Sequence, residues 1–127
     1  ARETISGGKP LSKDPLIRQK LADVAIELEA VKWLYYSIAH VLDSGSIPNY
    51  QSSMQKIYTT EVAQRLTNTC MEIVGLYGQL KRGSAHAPFD GRLEHQHRWS
   101  IVETIYAGTN EIQRNIIAHR GLKLPAQ

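Results

Sequence analysis

The amino-acid sequence predicts an all-α protein folded as an up-and-down four-helix bundle. Apolar residues recur at steps of three and four along two long segments, which is the period of one helical face. Residues that start and stop helices bracket those segments and two shorter ones. No stretch alternates apolar and polar residues for long enough to predict a strand. Because 127 residues suit one domain with a core, residues 1–127 are assigned to a single helical domain.

The first helix is predicted from Leu16 to Leu42. Asp14 and Pro15 stand before it, and these are residues that favour the cap and the first position of a helix. The turn-forming stretch DSGSIPN ends it. Its apolar face contains Leu21, Val24, Ala25, Leu28, Val31, Tyr35, Ile38 and Leu42. The aromatic cluster on this helix is predicted to lie in the core or at a helix–helix contact; its members are Trp33, Tyr35 and Tyr36.

The second helix is predicted from Gln51 to about Tyr77, where Gly75 and Gly78 stop it. A loop rich in turn-forming residues follows. The third helix is predicted from about Leu93 to Ala107. The fourth starts at Thr109 or Asn110, runs to Arg120 and is closed by Gly121.

The break between the last two helices allows two interpretations. Gly108 permits a sharp turn, and Thr109 or Asn110 can cap the next helix; with Asn110 as the cap, Gln113 would complete a capping box. The same segment can instead be a binding site, because a fresh helix start offers free N–H groups and a partial positive charge.

The composition of the chain argues against several classes of function. The net charge of +3 is too small to argue for nucleic acid, and no apolar run is long enough to span a membrane. The single cysteine, Cys70, excludes an intrachain disulfide and is expected to be a buried, unreactive thiol. His95 and His97 are two residues apart and point to different helix faces, so no metal site is predicted. We expect a protein of the cytoplasm, and the start at Ala1 is expected of a piece of a longer chain.

The segment IYAGTNEIQRNIIAHRGL resembles the C-terminal signature of the acyl-CoA dehydrogenase family, which has Gly, Thr, Ile, Gln and Arg at matching positions. The segments KPLSKDPLIRQKLADVAIELEAVKWL and SSMQKIYTTEVAQRLTNTCMEIVGLYG resemble the two helices that precede it, and Arg98 fits an arginine common in the third. The resemblance implies that this chain is the family's C-terminal bundle. The N-terminal helical domain and the middle β domain of family members are absent from it.

The resemblance also implies an activity. Family enzymes bind FAD and remove hydrogens from Cα and Cβ of an acyl-CoA thioester, with a carboxylate as base. By position, Gly108, Thr109 and Glu111 would contact FAD, and Arg2 would hold FAD of a neighbouring subunit. A homo- or hetero-dimer or tetramer formed through the bundle is expected. Lys81 and Arg82 are interpreted as a solvated basic loop rather than a phosphate site.

Several residues depart from the family pattern. Ala107 stands where many members carry the catalytic Glu, so no catalytic residue is assigned in this chain. The base would lie upstream or on a partner, with Glu103 as a poor substitute one helical turn before Ala107. Pro15, near the start of the chain, stands where many family members have a Gln. Glu72, on the second helix, stands where they often have another Gln. The alternative is therefore a catalytically silent assembly subunit, or a helical interaction module without a flavin. The isolated chain is expected to be inactive.

Overall fold

The computed structural model describes residues 5–6 and 8–125. Two short strands, β1 (Ile5–Ser6) and β2 (Lys9–Pro10), pair antiparallel and lead into a single 3-10 turn. Helix α1 spans Pro15–Asp43. Oδ1 of Asp14 accepts hydrogen bonds from the N–H groups of Leu16 and Ile17, at 2.8 and 3.4 Å. The predicted cap and proline start of the first helix are therefore confirmed.

Helix α2 spans Tyr50–Val74 and ends at Gly75, whose φ of 69° breaks the helix. The prediction that it reaches about Tyr77 is wrong, because Gly75–Gln79 is a 3-10 turn. After a second 3-10 turn at Pro88–Gly91, helix α3 spans Arg92–Glu103.

Helix α4 spans Asn110–Ile116 and continues as a π-helical turn, Ile117–Gly121. The described residues contain four helices and one hairpin whose strands are two residues each, which confirms the predicted all-α fold. The predicted end of the third helix at Ala107 is wrong: residues 104–107 are turns, and the φ of Ala107 is 54°.

Helix α2 is the central element, with α1 on one side and α3 and α4 on the other. Its contact with α3 and α4 includes a set of hydrogen bonds between polar groups. Side chains spaced by four, four and three residues on one face of α2 form hydrogen bonds with polar side chains or a backbone carbonyl of the other two helices. We call this set the polar seam; it consists of Lys56, Thr60, Gln64 and Thr67 of α2, Ser100 of α3 and Asn110 of α4.

Few apolar side chains are fully buried in the described part of the chain. Val24 of α1 is 8% exposed, and Val62 of α2 is 2% exposed. One side of the predicted apolar face of α1 lies uncovered in a row with seven-residue spacing: Leu21, Leu28, Tyr35 and Leu42. The aromatic cluster predicted for the core or for a helix–helix contact is also exposed, because its members lie on sides of α1 that α2 does not cover; these are Trp33, Tyr35 and Tyr36.

Candidate functional site

The link between α3 and α4 forms an exposed corner, here defined as Ala107–Glu111. The end of α3 unwinds gradually, since Ile105 and Tyr106 both donate to the carbonyl of Val102, at 2.9 and 3.1 Å. The backbone then takes positive φ at two successive residues, 54° at Ala107 and 88° at Gly108. These angles reverse the chain direction within two residues, so α4 starts immediately afterwards.

Thr109, rather than Asn110, caps α4. Its Oγ1 accepts from the N–H of Ile112 at 3.4 Å. Of the two predicted candidates, Thr109 is therefore the cap, and the capping box that required Asn110 as the cap does not form. Gln113 instead stabilises the corner from its inner side. Its Nε2 donates to the carbonyl oxygens of Ala107 at 3.2 Å and Gly108 at 3.5 Å.

Gly108 is required by these hydrogen bonds as well as by its φ. A Cβ at Gly108 would lie 2.6 Å from Nε2 of Gln113, so an alanine would push the Gln113 amide away. The outer side of the glycine is exposed. The corner therefore presents bare backbone outward while its inner side is held by a side chain.

The outward side of the corner carries both donors and an acceptor. The N–H groups of Ala107, Gly108 and Thr109 have no hydrogen-bond partner among residues 5–6 and 8–125. Successive free N–H groups of this kind attract acceptor-rich ligands. Hydrogen bonds from its own N–H and from the Thr109 hydroxyl lower the pKa of Glu111, so its carboxylate is ionised at neutral pH. This donor and acceptor set fits a heterocycle with both functions, such as the flavin ring.

Asn110 is the site residue that sequence reasoning missed. It is 4% exposed and points inward, so it lies in the polar seam. Its Oδ1 accepts from Nζ of Lys56 at 2.7 Å, and its Nδ2 donates to Oγ1 of Thr60 at 3.2 Å and to Glu61 at 3.4 Å. Arg114, one turn further along α4, forms an ion pair with Glu61. An available signal was the run Lys-x-x-x-Thr-Glu on α2, which places a cation beside two hydrogen-bonding groups.

The remaining predicted site residues lie apart from the corner or outside the described residues. Arg2 belongs to the segment that the structure does not describe. Glu103 ends α3, so the helical spacing that placed it on the same side as Ala107 does not hold. Arg98 lies on α3 and binds Glu94, with Nε 2.6 Å from Oε1. That hydrogen bond lowers the pKa of Glu94 and raises that of Arg98.

The basic loop before α3 is exposed and partly paired within itself. Nε of Arg82 lies 3.3 Å from Oδ2 of Asp90 in a solvent-exposed ion pair. The loop and the start of α3 border a surface cleft of about 410 Å³, which includes His95. The ring of His95 stacks on Trp99, at 6.3 Å between centroids, whereas Nδ1 of His97 is buried without a hydrogen-bond partner among the described residues.

Other polar residues have structural surroundings. Glu72 forms an ion pair with Lys20 of α1. Cys70 is only partly buried, rather than buried as expected, and this burial raises the pKa of its thiol. The described part of the chain contains no group of three His, Cys, Asp or Glu side chains arranged to hold a metal ion. Among residues 5–6 and 8–125, no helix is both long and apolar enough to cross a membrane.

Known proteins match this chain over nearly its whole length. Residues 1–122 match the sequence model of the acyl-CoA dehydrogenase C-terminal domain. The chain is 32% identical to a 3-(aryl)acrylate reductase of Clostridium sporogenes and 31% identical to a cyclohexane-1-carbonyl-CoA dehydrogenase of Geobacter metallireducens. Each match covers 97% of this chain and 30% of the relative.

Solved structures give the same result. The ChsE4–ChsE5 complex from Mycobacterium tuberculosis superposes with a TM-score of 0.91 at 30% identity, covering 100% of this chain and 33% of that chain. The chain thus spans about 30% of the length of the curated relatives it matches. By its signature segment, its four helices and these matches, the chain belongs to the acyl-CoA dehydrogenase family.

Proposed function

We propose that this chain is the cofactor-contacting helical domain of an FAD-dependent acyl-CoA dehydrogenase. The reaction is the removal of one hydrogen each from Cα and Cβ of an acyl-CoA thioester. The observation that carries the proposal is the exposed corner: it combines the family signature with free N–H groups at Ala107–Thr109 and an ionised Glu111. We also propose that the N-terminal helical and middle β domains of the family precede this domain in the intact protein.

The corner residues have distinct roles in this proposal. Bound FAD would supply the chemistry by accepting the hydride from Cβ. The Gly108 and Thr109 N–H groups would donate to acceptor atoms of the flavin ring, and Glu111 would accept from a ring N–H. Gln113 would keep the backbone donors in place by holding the carbonyl groups on the inner side of the corner. Arg2 would bind the FAD of a neighbouring subunit.

The proton from Cα needs an acceptor, and the carboxylate present at the corner, Glu111, is assigned to the flavin ring in this proposal. The methyl group of Ala107 cannot take a proton, and we propose that a carboxylate upstream in the intact protein or on a partner subunit does so. The rival proposal, a catalytically silent assembly subunit, rests on the same alanine. Family membership favours the enzyme, because its relatives include proteins named as a dehydrogenase and as a reductase of related compounds.

Flavin content is the first test. The full-length gene product should carry close to one flavin per protomer or per pair of protomers, with absorbance near ~450 nm. Thr109→Ala combined with Glu111→Ala should lower flavin retention at least tenfold. The control Thr69→Ala combined with Glu103→Ala, on residues away from the corner, should leave it unchanged. A full-length product that neither retains nor binds FAD would refute the proposal.

Substrate turnover is the second test. Anaerobic mixing of the flavin-loaded protein with saturated straight-chain, aryl and alicyclic acyl-CoA thioesters should bleach the flavin with at least one of them. Retained flavin with no bleaching by any thioester, with or without candidate partner subunits, would favour the silent assembly subunit.

We also propose that the bundle associates into a homo- or heteromeric dimer or tetramer. The uncovered row on α1, which includes Leu28 and Tyr35, supports this, since such rows mark contact surfaces. Light scattering should give a mass above one protomer for the intact protein. Leu28→Glu should lower that mass, whereas Ile47→Glu, at an 89% exposed residue outside the row, should not.

A further inference from the structure

A lysine inside the bundle is tied to the corner. Lys56 belongs to α2, is half-buried, and donates from Nζ to Oδ1 of Asn110 at 2.7 Å. Asn110 is held at every polar atom: its amide donates to Thr60 and Glu61, and its backbone N–H donates to the carbonyl of Thr104 at 3.0 Å. One buried residue therefore joins α2, the end of α3 and the start of α4.

The position of Asn110 decides how its neighbours point. Thr109 and Glu111 flank it directly, and with Asn110 turned into the seam, Glu111 is exposed and accepts from the Thr109 hydroxyl. A change that releases Asn110 from Lys56 would remove the shorter, charged hydrogen bond to its amide oxygen and leave the 3.3 Å contact with Oγ1 of Thr60. The first turn of α4 would then lose the contact that sets its orientation.

The charges around Asn110 form two pairs. Glu61 is paired with Arg114, so its charge is already balanced. Glu111 and Lys56 interact electrostatically: partial burial lowers the pKa of Lys56, while the Glu111 carboxylate raises it. Without the lysine charge, Glu111 would depend for its charge balance on Arg114, which also lowers the pKa of Glu111 but is paired with Glu61.

We propose that Lys56 is a positioning residue for the corner, fixing Gly108–Glu111 through Asn110 and balancing the charge of Glu111 from inside the bundle. This rests on the proposed flavin function. A cation near a flavin favours the electron-rich, reduced form. Lys56 thus acts on the cofactor through another residue, and by its charge, without touching the cofactor itself.

The test compares variants of the full-length protein that separate shape from charge. Lys56→Met removes the donor and the charge, and Lys56→Gln keeps an N–H donor without the charge. Lys56→Arg keeps both, and Lys20→Met makes the same change at an exposed lysine paired with Glu72. Three quantities are measured: hydrogen exchange of the peptide 104–113 without flavin, the FAD dissociation constant, and the flavin midpoint potential.

We expect Lys56→Met to speed exchange of that peptide at least tenfold, to raise the FAD dissociation constant at least tenfold, and to make the midpoint potential more negative. Lys56→Gln should leave exchange within threefold of wild type and still lower the potential. It also serves as the decisive variant if the methionine protein does not fold. Lys56→Arg should recover most of the affinity, and Lys20→Met should match wild type.

The outcomes separate this proposal from the one on which it depends. Wild-type exchange in Lys56→Met would overturn the positioning role, whether or not the protein binds flavin. An unchanged potential in both the methionine and glutamine variants would overturn the charge role. A wild-type protein without affinity for FAD would refute the proposed function, and the exchange measurement would still decide whether Lys56 holds the corner.

Discussion

Gly91, just before α3, packs closely against the backbone at Lys81 and Arg82, and its replacement should lower the stability of the fold. It has a φ of 71°, and a Cβ there would lie 2.2 Å from the backbone N of Arg82 and 2.6 Å from the carbonyl carbon of Lys81. A left-handed backbone costs an L-residue about 1 kcal/mol. Displacing packed main chain, which no rotamer change can avoid, adds about 1–3 kcal/mol. We expect Gly91→Ala to lower the free energy of unfolding by about 2–4 kcal/mol.

Gly83→Ala is the matched control for this prediction. Gly83 lies in the same loop with a φ of 89°, but a Cβ there would meet no atom within 4 Å. Its replacement should therefore cost only the backbone contribution, about 1 kcal/mol. Urea unfolding of the full-length protein, followed by far-UV circular dichroism, gives both values. Equal losses in the two variants would refute the steric argument and the close approach of the two loop segments.

Three further predictions test burial and charge. Val62 is 2% exposed, and Val62→Ala should lower the free energy of unfolding by about 2 kcal/mol. Val102→Ala, at 41% exposure, should lose less than about 1 kcal/mol, and equal urea midpoints would contradict the assigned burial. The hydrogen bond from its arginine partner lowers the pKa of Glu94, so its contribution to stability is complete above pH 4.5 and is lost as the pH falls through the lower folded-state pKa. Acid unfolding should therefore be less steep below pH 4.5 in Glu94→Gln than in the wild-type protein. Burial raises the pKa of the Cys70 thiol, and iodoacetamide at about pH 8 should alkylate it at least about tenfold more slowly than free cysteine; labelling at the free rate would show an accessible thiolate.

Local chemistry predicted the helices well because the signals lie next to what they determine. Asp14 and Pro15 start α1 as expected, and Gly108 turns the chain between α3 and α4 as expected. The end of α3 was less predictable, since the alanine at position 107 takes a backbone angle that favours glycine. Its sequence alone gives no reason to leave the helix.

The parts that sequence did not predict depend on distant residues. Either Thr109 or Asn110 can cap a helix, and Lys56, 54 residues earlier, provides the partner that holds Asn110 in the core. Periodicity likewise identified the apolar residues of α1 but not which of them α2 covers, because a single helix covers only part of a broad apolar face. Tyr35 was therefore expected inside and lies outside.

The polar seam and the uncovered apolar row have different roles: the seam aligns the helices within the domain, and the row favours association with another chain. Hydrogen bonds are directional, so Gln64 and Thr67 of α2 can meet Ser100 of α3 in one alignment only, which selects a single arrangement of the helices. Apolar surface such as Leu28 and Tyr35 favours association without specifying an arrangement. In the proposed oligomer, association would add to the stability of the folded protein, and the melting temperature should then rise with protein concentration.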